Sequence, residues 1–212
     1  IPLQLQPSLV LSVETDELGI AAGLQDRVVQ VYGGLVSMDF TEDGMQQQEG
    51  LWCGQYETLD TTILPPLYIA YAGELGEPTE VVHNDLRSRF LQGDLELLEA
   101  MQQLASSTEE ALVCLANGDR ERFGHLVDQN FSIRQSICQV HPDHLAMVEA
   151  ARSTGATAKF AGSGGAIVGT FQDEAMYLAL CQALSGRRRD WEQASDPAEF
   201  GVMGWRDKTG CW

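Results

Sequence analysis

Apolar side chains between residues 7 and 32 recur at mixed helical spacing, and glycines interrupt the pattern. We predict two helices here, with a joint at Gly19 and Gly23. The short apolar-rich run Leu35 to Phe40 then predicts a strand, and the polar stretch after it, residues 41–50, predicts a surface loop.

The centre of the chain is dominated by helical periodicity. A Pro-Pro pair introduces Leu67 to Tyr71, which reads as a second strand, and residues 81–138 then carry apolar positions suited to packed amphipathic helices. Gly93-Asp94 and Asn117-Gly118-Asp119 supply the breaks between these helices. Residues 144–153 predict another short helix.

Glycines mark the last third of the chain. Residues 158–171 alternate small and β-branched side chains around Gly162-Ser163-Gly164-Gly165, which predicts strand, tight loop and strand. A helix from Asp173 to about Leu184 follows. The segment 186–212 shows no clear period, so we expect an irregular tail.

Composition and charge narrow the function classes. The chain has 212 residues, 44% of them hydrophobic, which is enough for one sizeable core or two small ones. A formal net charge of −18, with thirteen Lys and Arg in all, argues against nucleic-acid binding by phosphate neutralisation. No apolar run reaches the ~18 residues of a membrane-spanning helix, so we expect no membrane partner.

The ends and the cysteines add a cellular expectation. The chain begins with Ile1 rather than Met and no secretory signal follows, so we expect it to start inside its first domain. Five widely spaced cysteines without a C-x-x-C pair suggest neither a disulfide framework nor a zinc site. This pattern favours a reducing, cytoplasmic location.

One candidate site lies between Glu14 and Gly34. Asp26 follows a glycine-containing turn and begins an apolar helix, where the helix dipole stabilises a carboxylate that can accept or orient a hydroxyl proton. Glu14, twelve residues earlier, could supply an oxygen ligand for Mg²⁺. Arg27 could bind a substrate carboxylate bidentately. Alternatively, Asp26 only caps a helix, Glu14 is a solvated side chain and Arg27 forms a surface pair.

The second candidate site is the glycine loop formed by Gly162, Ser163, Gly164 and Gly165. Glycines let backbone amides approach an anion closely, although many such loops are plain tight turns. Lys159, on the strand before the loop, reaches either a pocket or water. His141-Pro-Asp-His144 more often caps a helix than binds zinc.

Several segments together resemble one enzyme family. A-G-L-Q-D-R-V-V-Q-V-Y-G-G-L-V-S-M-D-F is followed by H-N-D-L-R-S-R-F, N-F-S-I-R and A-K-F-A-G-S-G-G-A-I-V. In this order they closely resemble the glucuronokinases of the GHMP kinase superfamily over about residues 7–185. The phosphate-loop motif of that superfamily, P-x-x-x-G-L-G-S-S-S or G-L-S-G-S-S, is absent from the sequence.

The resemblance implies an α+β fold in three parts. Residues 1–60 would be the remainder of a ribosomal-S5-like α/β domain, residues 61–185 a ferredoxin-like C-terminal domain, and residues 186–212 the irregular tail. It also implies that ATP, Mg²⁺ and a small sugar acid are the partners.

The resemblance implies roles for specific residues. Asp26 matches the acid that orients or deprotonates the anomeric hydroxyl, Glu14 lies near the position of the Mg²⁺-binding Glu, and Gly162 to Gly165 match the third conserved motif. The implied reaction is ATP-dependent phosphorylation of D-glucuronate to glucuronate 1-phosphate. The alternatives are a GHMP kinase for fucose, galacturonate or a heptose, and a catalytically silent protein that keeps the fold.

Overall fold

The computed structural model describes residues 1–20, 22–72, 86–162, 164–186 and 200–205; of residues 72, 186 and 200–205 it describes the backbone alone. The chain divides into two compact units, Ile1–Ile63 and Leu64–Trp212. Helices and strands are both present in each unit, so the fold is α+β, as predicted.

The first unit combines two helical segments with two antiparallel strand pairs. Helix α1 continues directly into a π-helical turn, Val13–Glu17. Strand β1 pairs with β4, and β2 pairs with β3. The bounds are α1 Gln6–Ser12, α2 Leu24–Tyr32, β1 Leu35–Asp39, β2 Gln46–Gln48, β3 Leu51–Cys53 and β4 Gln55–Leu59, with short 3-10 turns at Leu3–Leu5 and Thr61–Ile63.

The second unit is built on a four-stranded antiparallel sheet. Its bounds are β5 Leu67–Ala72, α3 Leu95–Asn117, α4 Arg120–Ile137, α5 Pro142–Arg152, β6 Lys159–Phe160, β7 Ala166–Thr170, α6 Glu174–Gly186 and β8 Phe200–Trp205, and residues 86–91 are also helical. The strands lie in the order β6-β7-β5-β8. In order along the chain this is second, third, first and fourth, the arrangement of a ferredoxin-like βαββαβ fold.

Local capping explains where the long helices begin and end. Asp94 accepts a hydrogen bond from the Leu97 amide at 3.2 Å and starts α3. Gly118 adopts φ +70° and ends it, and Asp119 then caps α4 through the Arg122 amide at 3.0 Å. The predicted breaks at these positions are confirmed.

The core of the second unit lies between the sheet, α4, α5 and α6. Its largest fully buried side chains include Tyr68 and Phe131. The Tyr68 hydroxyl donates to the Thr157 carbonyl at 2.7 Å, so its polar end is satisfied. Gly169 allows the close approach of this segment, because a Cβ there would lie 1.7 Å from the Thr157 oxygen. This packing fixes the strands on both sides of the glycine loop.

Two predictions about irregular segments are wrong. The polar stretch 41–50 contains β2, which a turn with positive φ at Glu49 and Gly50 joins to β3. Within the predicted irregular tail, Phe200–Trp205 forms β8 and pairs with β5. The rest of that tail, residues 187–199 and 206–212, lies outside the described residues. In the part of the chain that is described, no helix combines the length and the apolar character needed to cross a bilayer.

Candidate functional site

Asp26, Arg27 and Glu14 come together in the first unit. Asp26 lies in the first turn of α2, as predicted, and Glu14 lies on the π-helical turn that extends α1. Arg27 Nη2 forms an ion pair with Glu14 Oε2, and Arg27 Nη1 lies 3.3 Å from Asp26 Oδ2. One guanidinium therefore contacts both candidate carboxylates.

The two carboxylates differ in exposure. The Asp26 side chain is 82% exposed, whereas the side chains of Glu14 and Arg27 are 24% and 13% exposed. Arg27 Nη1 also donates to the Gly23 carbonyl at 3.3 Å, which anchors the guanidinium to the start of α2. Asp26 thus presents an accessible carboxylate from a fixed helix end.

The geometry bears on the predicted role of Arg27. A bidentate contact to a substrate carboxylate uses two neighbouring N–H groups of the guanidinium fork. Here Nη2 holds Glu14, and Nε is buried without a hydrogen-bond partner. A substrate carboxylate would have to displace Glu14 to bind in the usual way.

The carboxylates of this site suit a Mg²⁺ ion that is bound together with substrate phosphates. Within the described ranges, no group of three or more His, Cys, Asp or Glu side chains could hold a metal ion. Mg²⁺ commonly takes one or two carboxylates and completes its shell with water and substrate phosphates. Glu14, beside Arg27, could supply one such carboxylate.

The glycine loop lies in the second unit, between β6 and β7. The Ala161 amide donates to the Ala166 carbonyl at 3.0 Å, which closes the loop at its base. Gly165 has φ +74°, a conformation that favours glycine. A Cβ at Gly162 would meet no atom within 4 Å, so the loop faces open space there. Of the four predicted residues, Ser163 lies outside the described residues.

Lys159 places a positive charge beside the loop. It is partly buried on β6, and its Nζ donates to the Phe160 carbonyl at 3.1 Å. Burial lowers the pKa of Lys159, and the nearby charge of Arg134 lowers it further. An anion bound beside Lys159 would offset the charge repulsion from Arg134 and favour the charged form of the lysine.

Two residues near the loop escaped the sequence prediction. Arg134, in the last turn of α4, donates through Nη1 to the Gly162 carbonyl at 2.8 Å. His144, on α5, is buried behind Gly164, where a Cβ would lie 2.8 Å from its Cε1 atom. Arg134 lies within the N-F-S-I-R segment, but its spacing of 28 residues from Gly162 gives no sequence signal of the contact.

The His141-Pro-Asp-His144 segment serves a helix end. His141 Nδ1 accepts from the Asp143 amide at 3.3 Å and caps α5, with the proline in the first turn. The helix-capping interpretation is therefore confirmed. His144 lies one turn further on and packs into the core instead.

Comparison with curated proteins identifies close relatives. The chain is 44% identical over 172 residues to Glucuronokinase 1 of Arabidopsis thaliana. The matched segment covers 79% of the chain and 46% of that protein. It is 42% identical over 173 residues to the Probable glucuronokinase 2 of the same organism, again with 46% of that protein covered. The chain therefore spans about half the length of these relatives. No protein-family model matches the chain.

Solved structures show the same fold at low sequence identity. The L. major mevalonate kinase matches with a TM-score of 0.66 and 19% identity, over 94% of this chain and 58% of that one. The Lactococcus lactis galactokinase matches with a TM-score of 0.66 and 17% identity, over 95% of this chain and 59% of that one. In sequence the chain is therefore similar to the glucuronokinases over 79% of its length, and it shares the fold of these solved kinases.

Proposed function

We propose that the protein containing this chain transfers a phosphoryl group from MgATP to the anomeric hydroxyl of D-glucuronate. The observation that carries the proposal is the 44% identity to Glucuronokinase 1 across 79% of the chain. The sugar oxygen would bond to the γ-phosphorus as the bond to ADP breaks, giving glucuronate 1-phosphate. Mg²⁺, when bound, would neutralise the charge on the phosphates.

Asp26 would orient the sugar hydroxyl and accept its proton. A group in this role must reach the substrate, and the exposed Asp26 carboxylate at the start of α2 meets this requirement. Its place in the first turn of α2 puts the carboxylate at the positive end of the helix dipole, and a carboxylate is the form able to accept a proton. The Arg27 guanidinium beside it limits the directions in which the carboxylate can turn.

Glu14 would provide an oxygen ligand to Mg²⁺, beside the phosphates of ATP. This role requires a free lone pair on the carboxylate while Arg27 holds Oε2. Arg27 remains our candidate for the sugar carboxylate, but its pairing with Glu14 makes the substrate compete for the same guanidinium. We therefore expect Arg27 to contribute less to sugar binding than to holding Glu14.

The glycine loop would approach the ATP phosphates. The open space over the exposed Gly162 supports this, since an anion can reach the backbone there. Lys159 and Arg134 add positive charge in a chain whose net charge is −18. Local cations would thus offset the unfavourable overall field. A cytoplasmic location, where MgATP is available, belongs to the same proposal.

A substrate panel tests the assignment of the sugar. The full-length protein would be assayed with MgATP and glucuronate, galacturonate, fucose or a heptose, and the phosphorylated product identified by phosphorus NMR. We expect kcat/KM for glucuronate to exceed that for each other sugar by at least about tenfold. An equal or higher value for another sugar would assign the protein to that substrate.

A second candidate function is a catalytically silent protein with this fold. The amides of the phosphate loop hold the ATP phosphates in the GHMP kinase superfamily, so a protein that lacked the motif along its whole length would be silent. Calorimetry of the 212-residue chain with MgATP separates the two. Micromolar binding would contradict the silent function, whereas the kinase proposal requires turnover by the full-length protein.

A further inference from the structure

The glycine loop is held from below by side chains of two helices. Arg134 Nη1 donates to the Gly162 carbonyl at 2.8 Å. The Arg134 guanidinium carbon also lies 5.3 Å from the centre of the Phe160 ring, in cation–π contact with the last residue of β6. One side chain of α4 therefore contacts both the loop and the strand that enters it.

The Phe160 ring under Arg134 belongs to a packed aromatic cluster with Phe131 and His144. Phe160 is buried, and its ring meets those of Phe131 and His144 edge-on, with centroids 5.1 and 5.6 Å apart. His144 in turn leaves no room for a side chain at Gly164. Well-packed contacts of this kind restrict rotation of the rings, so this aromatic cluster fixes the position of the Phe160 ring on which Arg134 lies.

A guanidinium suits this task better than an ammonium. Its delocalised charge lies over the Phe160 ring while an N–H donates to the Gly162 carbonyl, and its fixed fork sets the direction of that hydrogen bond. Arg134 is in the last turn of α4, where the helix dipole also favours a cation. These contacts use Arg134 to hold the loop rather than to reach solvent.

We propose that Arg134 is a positioning residue of the nucleotide site: it sets the backbone of the glycine loop by holding the Gly162 carbonyl through a guanidinium that lies over the Phe160 ring. The inference rests on the proposed role of the loop in ATP binding. Because a carbonyl held from the helix side leaves the other side of the loop free, the loop can meet an anion without first reorganising.

The test compares Arg134→Ala and Arg134→Lys with Arg122→Gln in the full-length protein. Arg122 lies on the same helix and forms an exposed ion pair with Glu110, far along the helix from the loop. Hydrogen exchange of peptides covering residues 159–170 reports the loop without any ligand. The KM values for ATP and for glucuronate report the site.

In Arg134→Ala we expect faster exchange in the loop, a roughly tenfold rise in the KM for ATP and a KM for glucuronate within about twofold of wild type. In Arg134→Lys the loop exchange rate and the KM for ATP should lie between those of wild type and Arg134→Ala, because an ammonium cannot lie over the ring and donate in the same geometry. Arg122→Gln should match wild type throughout.

Three results would overturn the inference while leaving the proposed function standing. The first is unchanged loop exchange and ATP KM in Arg134→Ala. The second is an equal rise of both KM values, which would indicate general structural damage. The third is a wild-type ATP KM in Arg134→Lys while the loop still exchanges fast, because charge alone would then explain the effect. A wild-type protein that binds no ATP would contradict the proposed function and the inference with it.

Discussion

Arg27 and Glu14 form an ion pair that ties helix α2 to the π-helical turn at the end of α1. Both side chains are mostly buried, so each charge depends on the other for compensation. The pair lies directly beside Asp26, the proposed acid. Its first consequence is for the stability of the first unit.

Arg27→Gln should destabilise the protein by about 2 kcal/mol, because it leaves the Glu14 carboxylate partly buried without its cation. Urea unfolding followed by circular dichroism measures the change. Arg122→Gln is the control: it breaks a pair in which both side chains are about 45% exposed, and such surface pairs contribute little to stability. Equal losses in the two variants would show that the Glu14 pair is no stronger than a surface pair.

Gly164 and Gly162 offer a matched pair of substitutions in one loop. Gly164→Ala would place a Cβ 2.8 Å from the His144 ring, whereas Gly162→Ala meets open space. We expect Gly164→Ala to lower the melting temperature by several degrees, and Gly162→Ala to change it little. Thermal unfolding checks both. A stable Gly164→Ala variant would show that His144 moves aside at little cost.

Lys159 should show opposed effects on stability and binding. Its pKa in the folded state is lowered, so folding disfavours its charged form at neutral pH. This penalty shrinks as pH rises through the lowered folded-state pKa and is gone above the unfolded value of about 10.4. Lys159→Met should therefore raise the melting temperature at pH 7, and the gain should shrink near pH 10. The same variant should bind MgATP more weakly. A gain in stability with unchanged ATP binding would remove Lys159 from the proposed site.

The contribution of Asp94 to folding stability should be lost as pH falls. Its hydrogen bond from Arg89, at 2.7 Å, and the Leu97 amide hold the pKa of Asp94 below its usual value. A carboxyl with a lowered folded pKa contributes stability above its unfolded pKa and loses it as pH falls through the folded value. Asp94→Asn should thus destabilise the protein at pH 7 and progressively less below about pH 4. Exposed Glu99, replaced by Gln, is the control. A difference between wild type and Asp94→Asn that is independent of pH would contradict this account.

The features that local chemistry determines could be predicted from the sequence. Asp94 and Gly118 mark helix ends because a cap or a positive φ acts within a few residues. The position of Asp26 at the start of α2 follows in the same way from Gly23. Each of these signals lies within one turn of the feature it predicts.

Features that depend on distant partners could not be predicted. Strand β8 contains Gly201 and Gly204, which weaken its strand signal, and it forms by pairing with β5, opposite Tyr71 and Tyr68. The Gln-rich strand β2 is likewise defined by its partner β3. The contact of Arg134 with Gly162 and the pairing of Arg27 with Glu14 also require the folded chain.

The turnover of Asp26→Asn in the full-length protein tests the central claim most directly. Asn keeps the shape of the side chain but cannot accept the hydroxyl proton, so kcat with glucuronate and MgATP should fall by about 10² to 10⁴. Asp16→Asn, the same change at an exposed acid of the first unit, should leave kcat unchanged. A loss of less than about tenfold in Asp26→Asn would contradict the role of Asp26 as the acid that serves the anomeric hydroxyl.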